Sequence, residues 1–371
     1  MELYLLTAMV ILAFLSFANG ANDVSKAIAT LAGARVTSIK KAVLWGTLWT
    51  LLGSVSGLYW GTAIIKNITE NIYTAQPDFS FSMALAIGLA PALWVIAATR
   101  FQWPVSTTHA VVGGLLGAGM AALGTSGVAW QSTFYKIALP LLASPLMAIG
   151  LAYALSPLLQ RTAALLERIR FCLLPSPKFA LVQANQLAAA TTMEPQNCIV
   201  CDCDSQEAQT NHNIALSVNH MHWLTSGLLS FSRGLNDTPK LIAVILPFLL
   251  AGNMGKEAVG GMFMVSAVSM AAGGFLVGGR ITEVLGFRVT EMNHTQGFSA
   301  NAVATFLVLF ASKLGLPVST THVSACSIMG QGMADGHRLN KKTVGSMLFA
   351  WLVTVPVSGI VAMAVYYLWH L

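Results

Sequence analysis

The sequence predicts an all-α, polytopic membrane protein made of two inverted-topology repeats, with about a dozen membrane segments including re-entrant hairpins or broken helices. Three observations carry that prediction. The 371 residues are 55% hydrophobic and only 9% charged, against roughly 25% charged in soluble domains, and mean hydropathy is +0.68. The apolar runs are continuous and approach the roughly 20 residues that a helix needs to cross a bilayer. Two polar elements then recur in order. Asn22-Asp23-Val24-Ser25-Lys26-Ala27-Ile28-Ala29 returns as Asn236-Asp237-Thr238-Pro239-Lys240-Leu241-Ile242-Ala243, and Pro104-Val105-Ser106-Thr107-Thr108-His109 returns unchanged as Pro317-Val318-Ser319-Thr320-Thr321-His322. The separations from Asp to His in the two halves differ by a single residue. Membrane transport sites are assembled at the interface of such repeats.

Read in order, the apolar runs are 3–18, 42–65, 83–99, 134–155, 259–277 and 344–368. They do not alternate, which argues against a β-barrel. Ala18-Asn19-Gly20 resembles a signal-cleavage site, but Met1-Glu2-Leu3 lacks the basic start of such signals. The net charge of +6 is no nucleic-acid footprint, because the basic residues cluster in loops: Arg35, Lys40 and Lys41; Arg161, Arg168, Arg170 and Lys178; Arg338, Lys341 and Lys342. Basic short loops stay cytoplasmic. The loop matching 35–41 in the other half holds Lys256 and Glu257, which cancel, and the loop matching 338–342 is the uncharged 124–131. Charge on opposite sides implies that one half is inverted. The expected layout is a multi-pass protein of the cytoplasmic (inner) membrane with both termini outside and the central linker inside.

The halves are residues 1–157 and 212–371, joined by a linker, 158–211. Within it, 161–170 reads as a basic amphipathic helix at the membrane surface or an ordinary loop helix. Cys198, Cys201 and Cys203, with Asp202, Asp204 and His212 nearby, form a C-x-x-C-x-C run that could hold zinc or sense redox state. An incidental loop is the competing reading. A cytoplasmic loop is a poor place for a structural disulfide. Cys172 and Cys326 read as small packing residues.

Each half has one plan. An apolar helix runs into Gly20-Ala21-Asn22-Asp23 or Gly234-Leu235-Asn236-Asp237 and another apolar stretch follows at once. This pattern predicts a break in the helix at each copy, lining a cavity, with Pro239 in the first turn of the resuming helix. Pro104 and Pro317 open the second element as a helix N-terminus. Glycines 113, 114, 117 and 119 follow in one half, 330 and 332 in the other, and permit close helix packing. Ser106, Thr107, Thr108, Ser319, Thr320 and Thr321 offer six neutral hydroxyls at two helix starts, a fitting cradle for a tetrahedral oxyanion. Simple capping is the plainer reading. Asp23 and Asp237 are carboxylates at membrane depth, usually functional, with amide neighbours Asn22 and Asn236 and lysines, Lys26 and Lys240, three residues on. They suit a hard cation such as sodium, or equally a buried Asp–Lys pair without an ion. His109 and His322 invite comparison with a Ser–His–Asp hydrolase, but no Gly-x-Ser-x-Gly elbow surrounds them. They are better placed to fix a hairpin and respond to pH. Enzyme activity is not expected.

These residues resemble the inorganic phosphate transporter (PiT) family: Gly20-Ala21-Asn22-Asp23, Gly234-Leu235-Asn236-Asp237 and the twin Pro-Val-Ser-Thr-Thr-His segments all match, across both halves and not the linker. The resemblance implies an inverted-repeat fold, often homodimeric, and sodium- or proton-coupled uptake of phosphate with no cofactor; some relatives carry sulfate. It implies that the six hydroxyls hold the anion and that Asp23, Asp237, Asn22 and Asn236 hold or adjoin the coupling ion. Gln296 and Asn301 become candidates for the cavity wall. One departure matters. The family reads Gly-x-Asn-Asp-x-x-Asn where this chain has Lys26 and Lys240. A tethered ammonium could replace sodium, so weakened or absent sodium coupling is expected. Sulfate or another oxyanion is the alternative substrate. An anion channel and a membrane sensor with the cysteine loop as output are alternatives of another class.

Overall fold

A computed structural model describes residues 2–75, 77, 79–168, 170–172, 213–215, 217–251 and 257–370. The first half contains α1 (Glu2–Gly33), α2 (Ile39–Trp60), the short α3 (Thr62–Glu70), α4 (Phe81–Arg100) and α5 (Thr107–Leu123). A four-residue α6 (Trp130–Thr133) then runs through a π-turn into α7 (Leu139–Arg168). The second half contains α8 (Val218–Ala251), α9 (Glu257–Val277), α10 (Gly279–Phe287), α11 (His294–Lys313), α12 (Thr320–Ala334) and α13 (Lys341–His370). Between the halves, β1 (Arg170–Cys172) pairs antiparallel with β2 (Asn213–Ala215). Among the described residues, six helices are long and apolar enough to cross a bilayer: Tyr4–Gly33, Ile39–Trp60, Phe81–Arg100, Trp130–Leu165, Val259–Val277 and Lys341–Trp369.

The expected break at each Asn-Asp element is absent. Asn22 and Asp23 lie inside the uninterrupted α1, and Asn236 and Asp237 inside α8. An unbroken helix satisfies its own backbone in a low-dielectric setting, and here the polar side chains find partners laterally. Pro239 accordingly sits in the interior of α8 rather than in a first turn. Its ring takes the space beside Gly61, where a Cβ would fall 2.2 Å from Pro239 Cγ. The basic segment 161–168 is likewise no separate surface helix, since α7 runs through Pro157 to Arg168. The true breaks come at the second element, where 101–106 and 314–319 join helical arms α4–α5 and α11–α12.

Close contacts give the helix directions. On α1 and α9, Gly20 meets Met270 and Val24 meets Gly274, so these run parallel. On α2 and α8, Gly53 meets Phe231 and Gly57 meets Pro239, again parallel. Between α1 and α8, Arg233 bonds Asn19 while His222 bonds Thr30, so the two repeated helices are antiparallel. The second half thus retraces the first with every direction reversed. The halves also interlock: Gly117 of α5 abuts Gly359 of α13, and Gly330 of α12 abuts Ile149 of α7. Each hairpin is held by the long helix of the other half. Consequently α1 and α8 cross at the centre, and both hairpin tips converge on that crossing.

Candidate functional site

The centre is built from one turn of α1, one turn of α8 and the two hairpin tips. Asp23 and Lys26 stand three residues apart, as do Asp237 and Lys240, and such side chains share a helix face. All four are buried. Lys26 Nζ donates to Asp23 Oδ1 and Thr321 Oγ1 and to the Val105 carbonyl at 2.7 Å. Lys240 Nζ donates to Asp237 Oδ1 at 3.1 Å, the Val318 carbonyl at 2.7 Å and Thr108 Oγ1 at 2.9 Å. The two ammonium groups therefore have identical cages. Each comprises a carboxylate on its own helix, a carbonyl on its own half's tip and a hydroxyl from the opposite tip. Oxygen donors of these kinds are what a hard cation takes, and here a lysine occupies the position.

The tips touch. Thr321 Oγ1 donates to the Val105 carbonyl at 2.9 Å, and Thr108 Oγ1 lies 3.4 Å from the Val318 carbonyl. Thr107 and Thr320 hydroxyls each lie 3.4 Å from the Oδ2 of Asp23 and Asp237 respectively. The tight reversal before each tip uses a left-handed residue at the equivalent place, Gln102 (φ 59°) and Gly315 (φ 67°). Helices α5 and α12 then start with free N–H groups aimed at the crossing. Beside this contact runs a cleft too narrow for a water molecule, lined by Asn19, Thr107, Thr108, Val111, Asp237, Lys240 and Leu241.

Other expected residues have other places. Ser106 and Ser319 are N-caps, accepting from the backbone N–H of His109 and His322, each at 3.2 Å, so four threonines rather than six hydroxyls face the centre. Asn22 donates to Thr99 Oγ1 (2.8 Å) and the Trp103 carbonyl (3.0 Å), and Asn236 to Ser312 Oγ (2.7 Å). Both fasten their helix to the first arm of the hairpin, and both Oδ1 atoms are buried without a partner. The His109 and His322 rings pack with centroids 4.5 Å apart, and His322 lies against Trp351 at 4.0 Å. Asn301 ties α11 to α1 through Thr30 Oγ1 at 2.8 Å. Gln296 does not line the centre: it closes a capping box with Asn293 at the start of α11 and donates to Asp335 at 2.6 Å. Cys198, Cys201, Cys203 and His212 lie outside the described residues. Among the described residues, no three His, Cys, Asp or Glu side chains are placed to hold a metal ion.

Two residues at the centre went unexpected, Asn19 and Arg233. Each stands four residues, one helical turn, before its aspartate. Arg233 is buried, donates to Asn19 Oδ1 (3.1 Å) and Thr50 Oγ1 (2.7 Å), and approaches Asp237 Oδ2 at 3.8 Å. Asn19 Nδ2 donates to Asp23 Oδ2 (3.2 Å) and lies 3.5 Å from Asp237 Oδ2. The signal was readable: an arginine one turn upstream of a membrane carboxylate shares its face.

Comparison with known proteins bears on this geometry. Residues 19–362 match the model of the phosphate transporter family. A relative in Arabidopsis thaliana, the chloroplastic inorganic phosphate transporter 2-1, is 27% identical, over 94% of this chain and 69% of its own. A solved structure titled the sodium-dependent phosphate transporter superposes with a TM-score of 0.77 at 24% identity, covering 99% of both chains. That likeness is one of fold.

Proposed function

The chain belongs to the phosphate transporter family, a transport family rather than an enzyme family, and on that premise we propose how it moves the anion. Phosphate is held between the hairpin tips by Thr107, Thr108, Thr320 and Thr321 and the N-termini of α5 and α12, and access alternates as the tips part on one side and then the other. The observation that carries this reading is the mutual reach of the tips, Thr321 to Val105 and Thr108 to Val318. With the tips joined, the hydroxyls satisfy one another's carbonyls and the anion's place is closed. Separation of the tips frees those donors. The test is saturable uptake of labelled phosphate into proteoliposomes, with exchange for internal phosphate. Uptake that rises linearly with concentration, without exchange, would indicate a channel instead. Thr108→Val and Thr321→Val should each weaken phosphate binding, because each removes one hydroxyl from the pair of tips.

The lysine cages favour a second element of the proposal: at these two positions the cation is tethered, and coupling does not require sodium there. Protons or anion exchange would drive net flux. Uptake should persist when external sodium is replaced by choline at constant pH. Its collapse would defeat this point while leaving phosphate transport intact. The basic residues Arg35, Lys40, Lys41, Arg161, Arg338, Lys341 and Lys342 occur at the C-terminal ends of α1, α7 and α12 or at the following helix starts, which the helix directions bring to a common face. Short basic loops favour that face as cytoplasmic and both termini as external. A cysteine placed at Lys41 should then react with impermeant reagents only after the membrane is opened.

A further inference from the structure

Five ionisable groups, besides the two histidines, meet at the crossing of α1 and α8: Asp23, Asp237, Lys26, Lys240 and Arg233. Each lysine pairs with its own aspartate. Arg233 lies 3.8 Å from Asp237, whose Oδ1 is already engaged by Lys240. Its hydrogen bonds go to two neutral groups, Asn19 and Thr50, and its Nε has no partner. With the histidines uncharged, three cations face two carboxylates in a fully buried cluster. A buried charge without a counter-ion is costly, and among the described residues Arg233 shares its one carboxylate, Asp237, with Lys240.

Placement gives that charge a direction. Asn19 accepts from the guanidinium through Oδ1 and donates through Nδ2 to Asp23. Asn19 and Asp237 also wall the cleft that reaches Thr107, Thr108 and Lys240. Arg233 thus stands one residue layer behind the threonines that would face the anion. The cluster is also one-sided. The two-fold that relates the lysine cages puts Asn19, a neutral residue, where the second half has Arg233.

We infer that Arg233 is a positioning and specificity-determining residue for the transported oxyanion. Its uncompensated charge, relayed to the cleft through Asn19 and Asp237, attracts the anion while the lysines stay engaged with the aspartates. This rests on the phosphate-transport reading above.

The test measures phosphate affinity by titration of the purified full-length protein and KM and Vmax in proteoliposomes. Arg233→Gln should weaken phosphate binding by about tenfold or more, as expected for a unit charge removed a few ångströms from an anion in a partly polar interior, with KM rising more than Vmax falls. Arg233→Lys should stay within about threefold of the parent. The exchange Asn19→Arg with Arg233→Asn should recover most of the affinity lost in Arg233→Gln, because the charge returns at the two-fold-related place. Unchanged affinity in Arg233→Gln, or loss in Arg233→Lys as large as in Arg233→Gln, overturns the assignment. If Arg233→Gln yields no folded protein, Arg233→Lys decides alone: affinity within threefold upholds it and a tenfold loss ends it. A parent protein that neither binds nor carries phosphate would sink the transport reading itself. Normal phosphate transport by the parent with an indifferent Arg233 would sink only this one.

Discussion

Half one and half two agree at the lysines and disagree one turn away. Lys26 and Lys240 sit in matching cages of carboxylate, carbonyl and hydroxyl, whereas the residue before each aspartate's turn is Asn19 in one helix and Arg233 in the other. The hairpin bases differ as well. At the base of the half-two hairpin, Gln160 of α7 joins Gln296 and Gln331 in donating to the Asp335 carboxylate, tying α7, α11 and α12 together. In α5 the residue matching Asp335 is Ala122, which has no carboxylate. The shared geometry is what the proposed alternation of the two tips needs. The differences decide the charge at the crossing and how firmly each hairpin is anchored.

The largest test of that contrast removes one lysine at a time. Lys26→Met leaves Asp23 buried with only neutral partners within hydrogen-bond reach, and a loss of about 3–5 kcal/mol is expected. Lys240→Met leaves Asp237 with Arg233 still 3.8 Å away, so the loss should be smaller, by about 1–2 kcal/mol. Denaturation in detergent would measure both, and equal losses would erase the distinction. Next, Asp23→Asn combined with Lys26→Met should be milder than Lys26→Met alone, since the double change leaves no unpaired charge; a cost equal to the sum of the singles would break it. Third, Asp335→Asn replaces one of the two carboxylate oxygens that serve three glutamine amides by an N–H donor, for about 1–3 kcal/mol. Hydrogen exchange should quicken in α12 and not in α5. The smallest effects come from Ser106→Ala and Ser319→Ala, which each remove an N-cap for about 1 kcal/mol. Ser106→Ala should cost the more, because Ser106 Oγ also bonds His109 Nδ1 at 2.8 Å while the His322 ring nitrogens have no partner, readable as unequal shifts in melting temperature.

What the residues disclosed in advance depended on whether their chemistry was local. The twin Ser-Thr-Thr segments each supply a cap and a helix start, so their hairpins could be read directly. The reversed charge of matched loops foretold inversion because orientation follows loop charge. The Gly-x-Asn-Asp segments suggested a break, a rule that holds where water can receive a freed backbone. Inside α1 and α8 the backbone has no such outlet, and Thr99, Trp103 and Ser312 receive the amide side chains instead. Gln296 looked like a cavity residue, although Asn293-His294-Thr295-Gln296 has the spacing of a capping box. Arg233 lies outside the repeated motif, its counterpart in half one being the neutral Asn19, and its neighbours Asn19 and Thr50 lie far away in the chain.

The interlocking of the halves bears on how the protein is made. Helix α12 packs on α7, which precedes it in the chain, whereas α5 packs on α13, the last helix of the described chain. During synthesis from the N-terminus, the first hairpin must wait for residues 341–370 before Gly113 and Gly117 can seat against Val355 and Gly359. Until then its polar tip enters the bilayer without its permanent neighbour, so the packing of the first hairpin waits on the synthesis of α13.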